Sequence, residues 1–387
     1  MISAGEASGD LHAGALTREL HKLSADVEVF GMGGECMRDA GGQVVFDIKE
    51  HGVMGLVEII QKLPALFALK KAMGKLMDER KPDCVVTIDY SEFNTYVVAN
   101  MAHERNIPVV SFIPPSVAVW RKNRAKYLSQ KSSWVATIFP HENDIYVEAG
   151  AKAQYVGHPL LDVVKPKLTD EQARIKAGKN DGIPLILLMP GSRAQEIKYL
   201  LPTILQAAVI IKNKLPEVNF CMPCAPTVSK VELLEQIAQY DLSVRVTELD
   251  IYDIMKVSDI AITKSGTGTL EAALCGLPCV IVYKTSWLNE FIFRNVLRLS
   301  VPNIGLPNIV MGRRIMPELL QEQVTPENIA QESLKLLQEP EFSKAKQELS
   351  IMREKMGDGG AISKVAEGIL QLVAKDENKT VLQHNNG

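Results

Sequence analysis

Cysteine is scarce and scattered. Six residues in 387, Cys36, Cys84, Cys221, Cys224, Cys275 and Cys279, lie in apolar runs, which excludes a disulfide framework and fits free thiols in a reducing cytoplasm. The Cys221-Met-Pro-Cys224 spacing is half of a metal knuckle or a redox pair, but no matching CxxC or HxxxH accompanies it, so it is read as structural. No Asp-x-Asp pair is present to chelate a metal ion, and no metal or cofactor is expected. Neither sign of charge is in excess: the formal net charge of −3 gives no reason to expect nucleic acid as a partner. No run of about eighteen apolar residues exists to span a bilayer and no signal pattern precedes the first motif, so any contact with a membrane is expected to be peripheral. An internal repeat is also missing.

The composition that remains, 46% hydrophobic and 23% charged, is that of an ordinary globular protein. A chain of this length exceeds what one core usually organises, so two domains are the default. Short apolar runs alternate with helical patterns throughout. In the first half they lie at 1–4, 27–31, 83–89, 108–113, 134–139 and 153–156; in the second at 184–190, 218–222, 244–247, 259–263 and 278–283. This alternation predicts an α/β protein with two doubly wound, Rossmann-like halves. The first run is short before Gly5, which suggests either that the natural start lies a few residues upstream or that this strand is short. The halves are expected at 1–165 and 183–344, joined by a charged linker. A helix within 345–375 is expected to pack back on the first half, and a polar tail, 376–387, to be disordered.

Two stretches carry the pattern of strand, tight turn and helix. In 260–276 an apolar run ends at Thr263, Ser265, Gly266, Thr267 and Gly268 form a turn, and helical spacing follows with Glu271 in the first two turns. Taken alone, this is either an ordinary βα connection or a phosphate-binding turn, because the first N–H groups of a helix point at one place. In 187–196 an apolar run meets Gly191, Ser192 and Arg193 just before a helix carrying Glu196. The planar guanidinium fork of an arginine suits phosphate oxygens. Donors fixed at such a place stabilise the charge of a leaving diphosphate and substitute for a metal ion, and Glu271 is suited to accept hydrogen bonds from ribose hydroxyls. The second half therefore reads as a nucleotide-diphosphate site.

The first half supplies acids. Glu6, Ser8, Gly9 and Asp10 crowd the first turn, where Ser8 or Asp10 would serve as a helix cap. Asp89 sits at the carboxyl end of an apolar run, where parallel sheets bind ligands, although capping the next helix would explain it too. His158, before Pro159, is read chiefly as a turn residue. Two segments have an apolar face beside basic residues: 53–75, with Met54, Phe67, Lys70 and Lys71, and 285–300, with Trp287, Phe291, Arg294 and Arg298. Each is either a packed helix or one lying on a membrane surface.

Gly5-Glu-Ala-Ser-Gly-Asp10, Val53-Met-Gly55, Ile88-Asp89 with Phe93-Asn94, Pro115-Ser116 with Trp120-Arg121, Gly157-His158, Pro190-Gly-Ser-Arg193 with Glu196, Ser265-Gly-Thr267 with Thr269 and Glu271, and Leu306-Pro-Asn308 occur in this order. Together they resemble the lipid-A-disaccharide synthase family of GT-B glycosyltransferases, over residues 1 to about 340. One departure is Ala118, where the family's Pro-Ser-Val-Trp-Ala-Trp-Arg pattern has its first tryptophan.

The resemblance implies two Rossmann-like domains facing each other across a cleft. It implies inverting transfer of a sugar from UDP-2,3-diacylglucosamine to the 6-hydroxyl of 2,3-diacylglucosamine 1-phosphate, with Asp89 as base and Glu6 and Asp10 in reserve. Gly191, Ser192, Arg193, Glu196, Ser265, Gly266 and Thr267 would hold the UDP diphosphate, Glu271 the ribose, and Asn308 would lie near the donor. Ser8, Gly9, Ser116, Trp120 and Arg121 would complete substrate binding. Both substrates carry acyl chains, so peripheral association with the cytoplasmic face of the inner membrane follows, and a homo-oligomer is compatible with it. Two alternatives use the same scaffold: a UDP-N-acetylglucosamine 2-epimerase-like isomerase, and a non-catalytic nucleotide-binding regulator.

Overall fold

The structure, a computed structural model, describes residues 1–51, 63–115, 122–192, 194–224, 228–284 and 303–384. The chain divides into two compact units. One comprises Met1–Val163 with Asp358–Gly387, the other Val164–Gly357.

The first unit is built on seven parallel strands: β1 (Ile2–Ala4), β2 (Phe30–Gly33), β3 (Gln43–Asp47), β4 (Val85–Ile88), β5 (Val109–Phe112), β6 (Trp134–Thr137) and β7 (Ala153–Tyr155). Their spatial order is β3-β2-β1-β4-β5-β6-β7. Every residue of β1, β2, β4 and β5 is buried, as expected of strands covered on both faces. Side chains alternate across the sheet. Ile2, Val86, Val110 and Phe112 pack with Leu16 and Leu20 of α1 (Ala7–Leu23) and with Ile362, Val365 and Ile369 of the helix Ala361–His384. Met1, Met32 and Val85 face the other way, against Leu69, Met73 and Met77 of the helix Leu63–Arg80.

The stretch 345–375 holds parts of two helices. Glu341–Met356 belongs to the second unit, and Ala361–His384 to the first, with Gly357–Gly360 between them. Asp162 anchors the later helix, accepting hydrogen bonds from the Gly360 and Ile362 N–H groups, the latter at 2.9 Å. That helix runs to His384, into the stretch expected to be disordered.

The second unit carries six parallel strands, β8 (Leu185–Met189), β9 (Asn219–Pro223), β10 (Val244–Thr247), β11 (Ile260–Lys264), β12 (Cys279–Tyr283) and β13 (Glu318–Leu320), in the order β10-β9-β8-β11-β12-β13. Leu185, Ile186, Leu187 and Leu188 are fully enclosed, each stabilising the unit by roughly 1.5–3 kcal/mol relative to exposure. The helix Ala194–Lys214, in which Leu201, Leu205 and Ala208 are buried, packs beside the helix Pro326–Leu336.

β3 and β13 escape the sequence reading. Both are edge strands: β3 alternates exposed and half-buried residues, and β13 has only three. Neither presents the continuous apolar run that marks a central parallel strand. Among the described residues no helix is long and apolar enough to cross a membrane.

Candidate active site

In an open parallel sheet the crevice lies beyond the carboxyl ends of the strands, where the winding reverses. The strand orders put that reversal between β1 and β4 in the first unit and between β8 and β11 in the second. Most of the acids and turn residues singled out from the sequence follow one of these four strands.

At the β1/β4 reversal, Asp89 and Tyr90 come directly after β4, both with φ of 49°. Aspartate enters this left-handed region more readily than most residues, whereas for the bulky Tyr90 it is costly and persists only where the surroundings hold it. The restraints are visible. Ser8, in the first turn of α1, donates to Asp89 Oδ2 at 3.2 Å. Buried Asn94 donates through Nδ2 to the carbonyls of Ser3 (2.9 Å), Ile88 (3.2 Å) and Asp89 (2.8 Å), and accepts from Ser3 Oγ at 2.6 Å. One amide thereby ties the ends of β1 and β4 together, and it sits at the start of a π-helical turn, Asn94–Val98, a feature often found at functional sites. The Tyr90 ring lies against Gly5 so closely that a Cβ there would come within 2.1 Å of it. Gly9 likewise packs against Ala4 and the Ile88 carbonyl.

Glu6 takes the N-cap position of α1 without a capping side-chain bond. Asp10 is turned to other work than the reserve base expected of it. It is buried, and its Oδ1 accepts the N–H groups of Gly34 (2.7 Å) and Met37 (3.1 Å) while Oδ2 accepts that of Cys36 (2.9 Å). It closes the turn after β2 and satisfies the start of the helix Glu35–Asp39. Below it two histidines are enclosed. Burial, with His158 nearby, pushes His12 down to about 3, and burial pushes His158 down to about 4. His12 packs edge-on to Phe112, and His158 accepts the Leu160 N–H through Nδ1. His158 is therefore a buried turn residue.

At the β8/β11 reversal, Gly191 has φ of +134°, and a Cβ there would collide with Glu196. Glu196 Oε2 accepts the Ser192 N–H at 3.1 Å, and its Oε1 pairs with Lys264 Nζ at 2.8 Å. Glu196 thus braces the Gly-Ser turn and places an ammonium group at the end of β11. After Lys264, buried Ser265 donates to the Ile304 carbonyl at 3.0 Å. Gly266, with φ of +153°, precedes the helix Thr267–Leu274 and has no side chain to cap its first N–H groups. Glu271 accepts the Tyr252 hydroxyl at 2.9 Å. Burial raises the Glu271 carboxyl above the ordinary glutamate range; the Tyr252 hydrogen bond opposes that shift and Asp250 adds to it.

Asn308 is wholly enclosed. Its Nδ2 donates to the Met316 carbonyl (2.9 Å) and Glu318 Oε1 (2.7 Å), and its Oδ1 accepts the Ile315 and Met316 N–H groups. Glu318, also buried, accepts the Ile304 and Gly305 N–H groups as well. The pair shapes the segment on which Ser265 rests. Arg193, Ser116, Trp120, Arg121, Met54, Trp287, Phe291, Arg294 and Arg298 lie outside the described residues. Among those described, no group of three or more His, Cys, Asp or Glu could hold a metal ion.

Sequence reasoning missed Ser3, Tyr90, Tyr252, Lys264 and Glu318. Lys264 alone carried a signal, its place at the end of an apolar run before a Gly-rich turn. The others are brought in by contacts distant in sequence.

The model of the family described as lipid-A-disaccharide synthetase matches residues 1–371. The lipid-A-disaccharide synthase of Geobacter sulfurreducens is 36% identical over 376 residues, 97% of either chain. That of Syntrophus aciditrophicus is 38% identical over 379 residues, 97% of this chain and 98% of its own. Among solved structures, UDP-GlcNAc 2-epimerase from Neisseria meningitidis, bound to UDP-GlcNAc, superposes with a TM-score of 0.64 at 15% identity, over 96% of this chain and 98% of that one. The calicheamicin glycosyltransferase CalG4 superposes at 0.61 with 13% identity, over 97% of each chain. At such identities these structures show a shared fold alone.

Proposed function

The chain belongs to the lipid-A-disaccharide synthetase family, and from that premise we propose how its residues divide the work of a glycosyltransferase in lipid A biosynthesis. The reaction moves 2,3-diacylglucosamine from its UDP donor to the 6-hydroxyl of 2,3-diacylglucosamine 1-phosphate, giving a β-1,6-linked tetraacyl disaccharide 1-phosphate and UDP. The donor is α-linked and the product β-linked, so a single in-line displacement suffices. The acceptor oxygen forms its bond to the anomeric carbon as the bond to the diphosphate breaks, and the electron pair of that bond leaves with UDP. The acceptor hydroxyl must lose its proton in the same event.

Asp89 takes that proton. The observation that carries this assignment is its position: a half-buried carboxylate just beyond β4 at the winding reversal, in left-handed backbone, oriented by Ser8. A carboxylate held in place at a ligand-binding edge, with the strained Tyr90 backbone beside it, is what a preorganised base requires. Asp10 supports the turn beside it. The leaving diphosphate is received by the turns after β8 and β11: the Gly191-Ser192 turn that Glu196 braces, Arg193, the start of the helix at Thr267, and Lys264. Fixed N–H donors and cationic groups stabilise the charge that develops there. Glu271 holds the ribose.

Acylated substrates place the enzyme peripherally on the cytoplasmic face of the inner membrane. Phe67, two-thirds exposed beside exposed Lys70 and Lys71, supports this reading, with Met54, Trp287, Phe291, Arg294 and Arg298 as further contacts. The epimerase alternative has only a resemblance of fold behind it, and a mere nucleotide binder gives no reason for the strain beside Asp89.

The test is Asp89→Asn, a change that left-handed backbone tolerates well. With both acylated glucosamine substrates in detergent, disaccharide measured by mass spectrometry should fall by about 10²-fold or more, while UDP affinity stays at the wild-type value. Near-normal turnover would refute the assignment.

A further inference from the structure

We propose that Tyr252 is a positioning residue for the UDP-sugar donor: its hydroxyl fixes one oxygen of Glu271 so that the other is presented to the ribose through the space left by Gly268. The proposal rests on the reading of Glu271 as the ribose acceptor.

Tyr252 lies in the first turn of the helix Ile251–Val257, whose start is pinned from two sides. Asp250 caps it, its Oδ1 accepting the Tyr252 N–H at 3.1 Å, and Asp250 Oδ2 pairs with Lys167 Nζ at 2.7 Å. The buried Tyr252 ring is thereby held with its hydroxyl 2.9 Å from Glu271 Oε1. A buried phenol needs a hydrogen-bond partner; here the partner is a carboxylate, and burial beside that carboxylate raises the phenol, which stays protonated as a donor. The terminal torsion of a glutamate is broad and loosely held when unrestrained. Fixing Oε1 removes that freedom and decides where Oε2 points.

Oε2 accepts no hydrogen bond from a described residue. It is directed at Gly268, one turn earlier on the same helix face, where a Cβ would stand 3.8 Å from it. A glycine at that place leaves the approach to Oε2 open, at the end of the helix where the diphosphate is received. A vicinal diol is a fitting occupant, since both of its hydroxyls donate and a carboxylate oxygen accepts more than one hydrogen bond.

The experiment compares UDP with 2′,3′-dideoxyuridine diphosphate by titration calorimetry, on the full chain and on Tyr252→Phe. Loss of a hydrogen bond to a charged group should weaken UDP about tenfold and raise KM for the donor in step, with little change in kcat. The dideoxy ligand should bind wild type and Tyr252→Phe equally, which also reports that the variant site is folded. Equal weakening of both ligands would show a structural role and overturn the proposal. So would an unchanged affinity for UDP. Glu271→Ala separates the underlying reading: if it leaves the preference for UDP over the dideoxy ligand intact, the ribose role of Glu271 fails, whatever Tyr252 does.

Discussion

Both oxygens of Asp10 accept backbone N–H groups from the turn after β2, whereas Asp89 stands in left-handed backbone with Ser8 on one oxygen. The same side chain is a structural cap in one place and a candidate base in the other. His12 and His158 show how far such local circumstances reach. Their pKa values in the folded unit, about 3 and about 4, lie below the ordinary 6.5. Between those limits the unfolded chain binds protons that the folded one refuses, so stability is full above pH 6.5 and is lost as pH falls. Denaturant unfolding between pH 6.5 and 5 should show a loss approaching roughly 1.4 kcal/mol per pH unit for each histidine. His12→Leu should make that dependence shallower. An identical slope in the variant would show that His12 does not stay neutral.

Strands, turns and helices supply the register of the site. β1 and β4 end side by side, so the turn Gly5–Asp10 and the turn at Asp89–Tyr90 meet, and Asn94 binds the two ends. Gly5 is the point of closest approach. Gly5→Ala would drive its methyl into the Tyr90 ring, and a shift of Tyr90 is expected to carry the adjoining Asp89 with it. A displacement of about 1 Å can cost about a hundredfold in rate, and a loss of this order is expected with UDP affinity unchanged, since the nucleotide turns belong to the other unit. Adding Tyr90→Ala should restore part of the activity. If Gly5→Ala alone is as active as wild type, the close contact has no bearing on the base.

At the scale of the molecule, the first unit is not continuous in sequence. Its core includes Ala361, Ile362, Val365, Ala366 and Ile369 from the far end of the chain. A chain ended at Gly357 would expose the face of α1 that these residues cover, and losing several buried aliphatic side chains costs on the order of several kcal/mol. Calorimetry should then show the first unit's transition lowered or lost, while the remaining transition still rises on adding UDP. Unaltered melting of the shortened chain would mean that the returning helix contributes little.

Much of the architecture was legible because central parallel strands are buried on both faces and must be apolar throughout. The runs at 83–89, 108–113, 184–190 and 259–263 therefore announced β4, β5, β8 and β11, and with them the places where Asp89, Gly191 and Ser265 emerge. Ordered motifs on those edges were enough to mark the family. Edge strands β3 and β13 lacked that signal, because an edge is only partly covered. The division between acting and supporting residues was legible only in part. That Asp10 caps the helix Glu35–Asp39 and not its own, that Asn308 and Glu318 satisfy one another, and that Tyr252 reaches Glu271 depend on which polar groups meet away from their own turn of the chain. A sequence names the donors and acceptors; only the packed chain decides which are used up on the fold and which remain for the substrate.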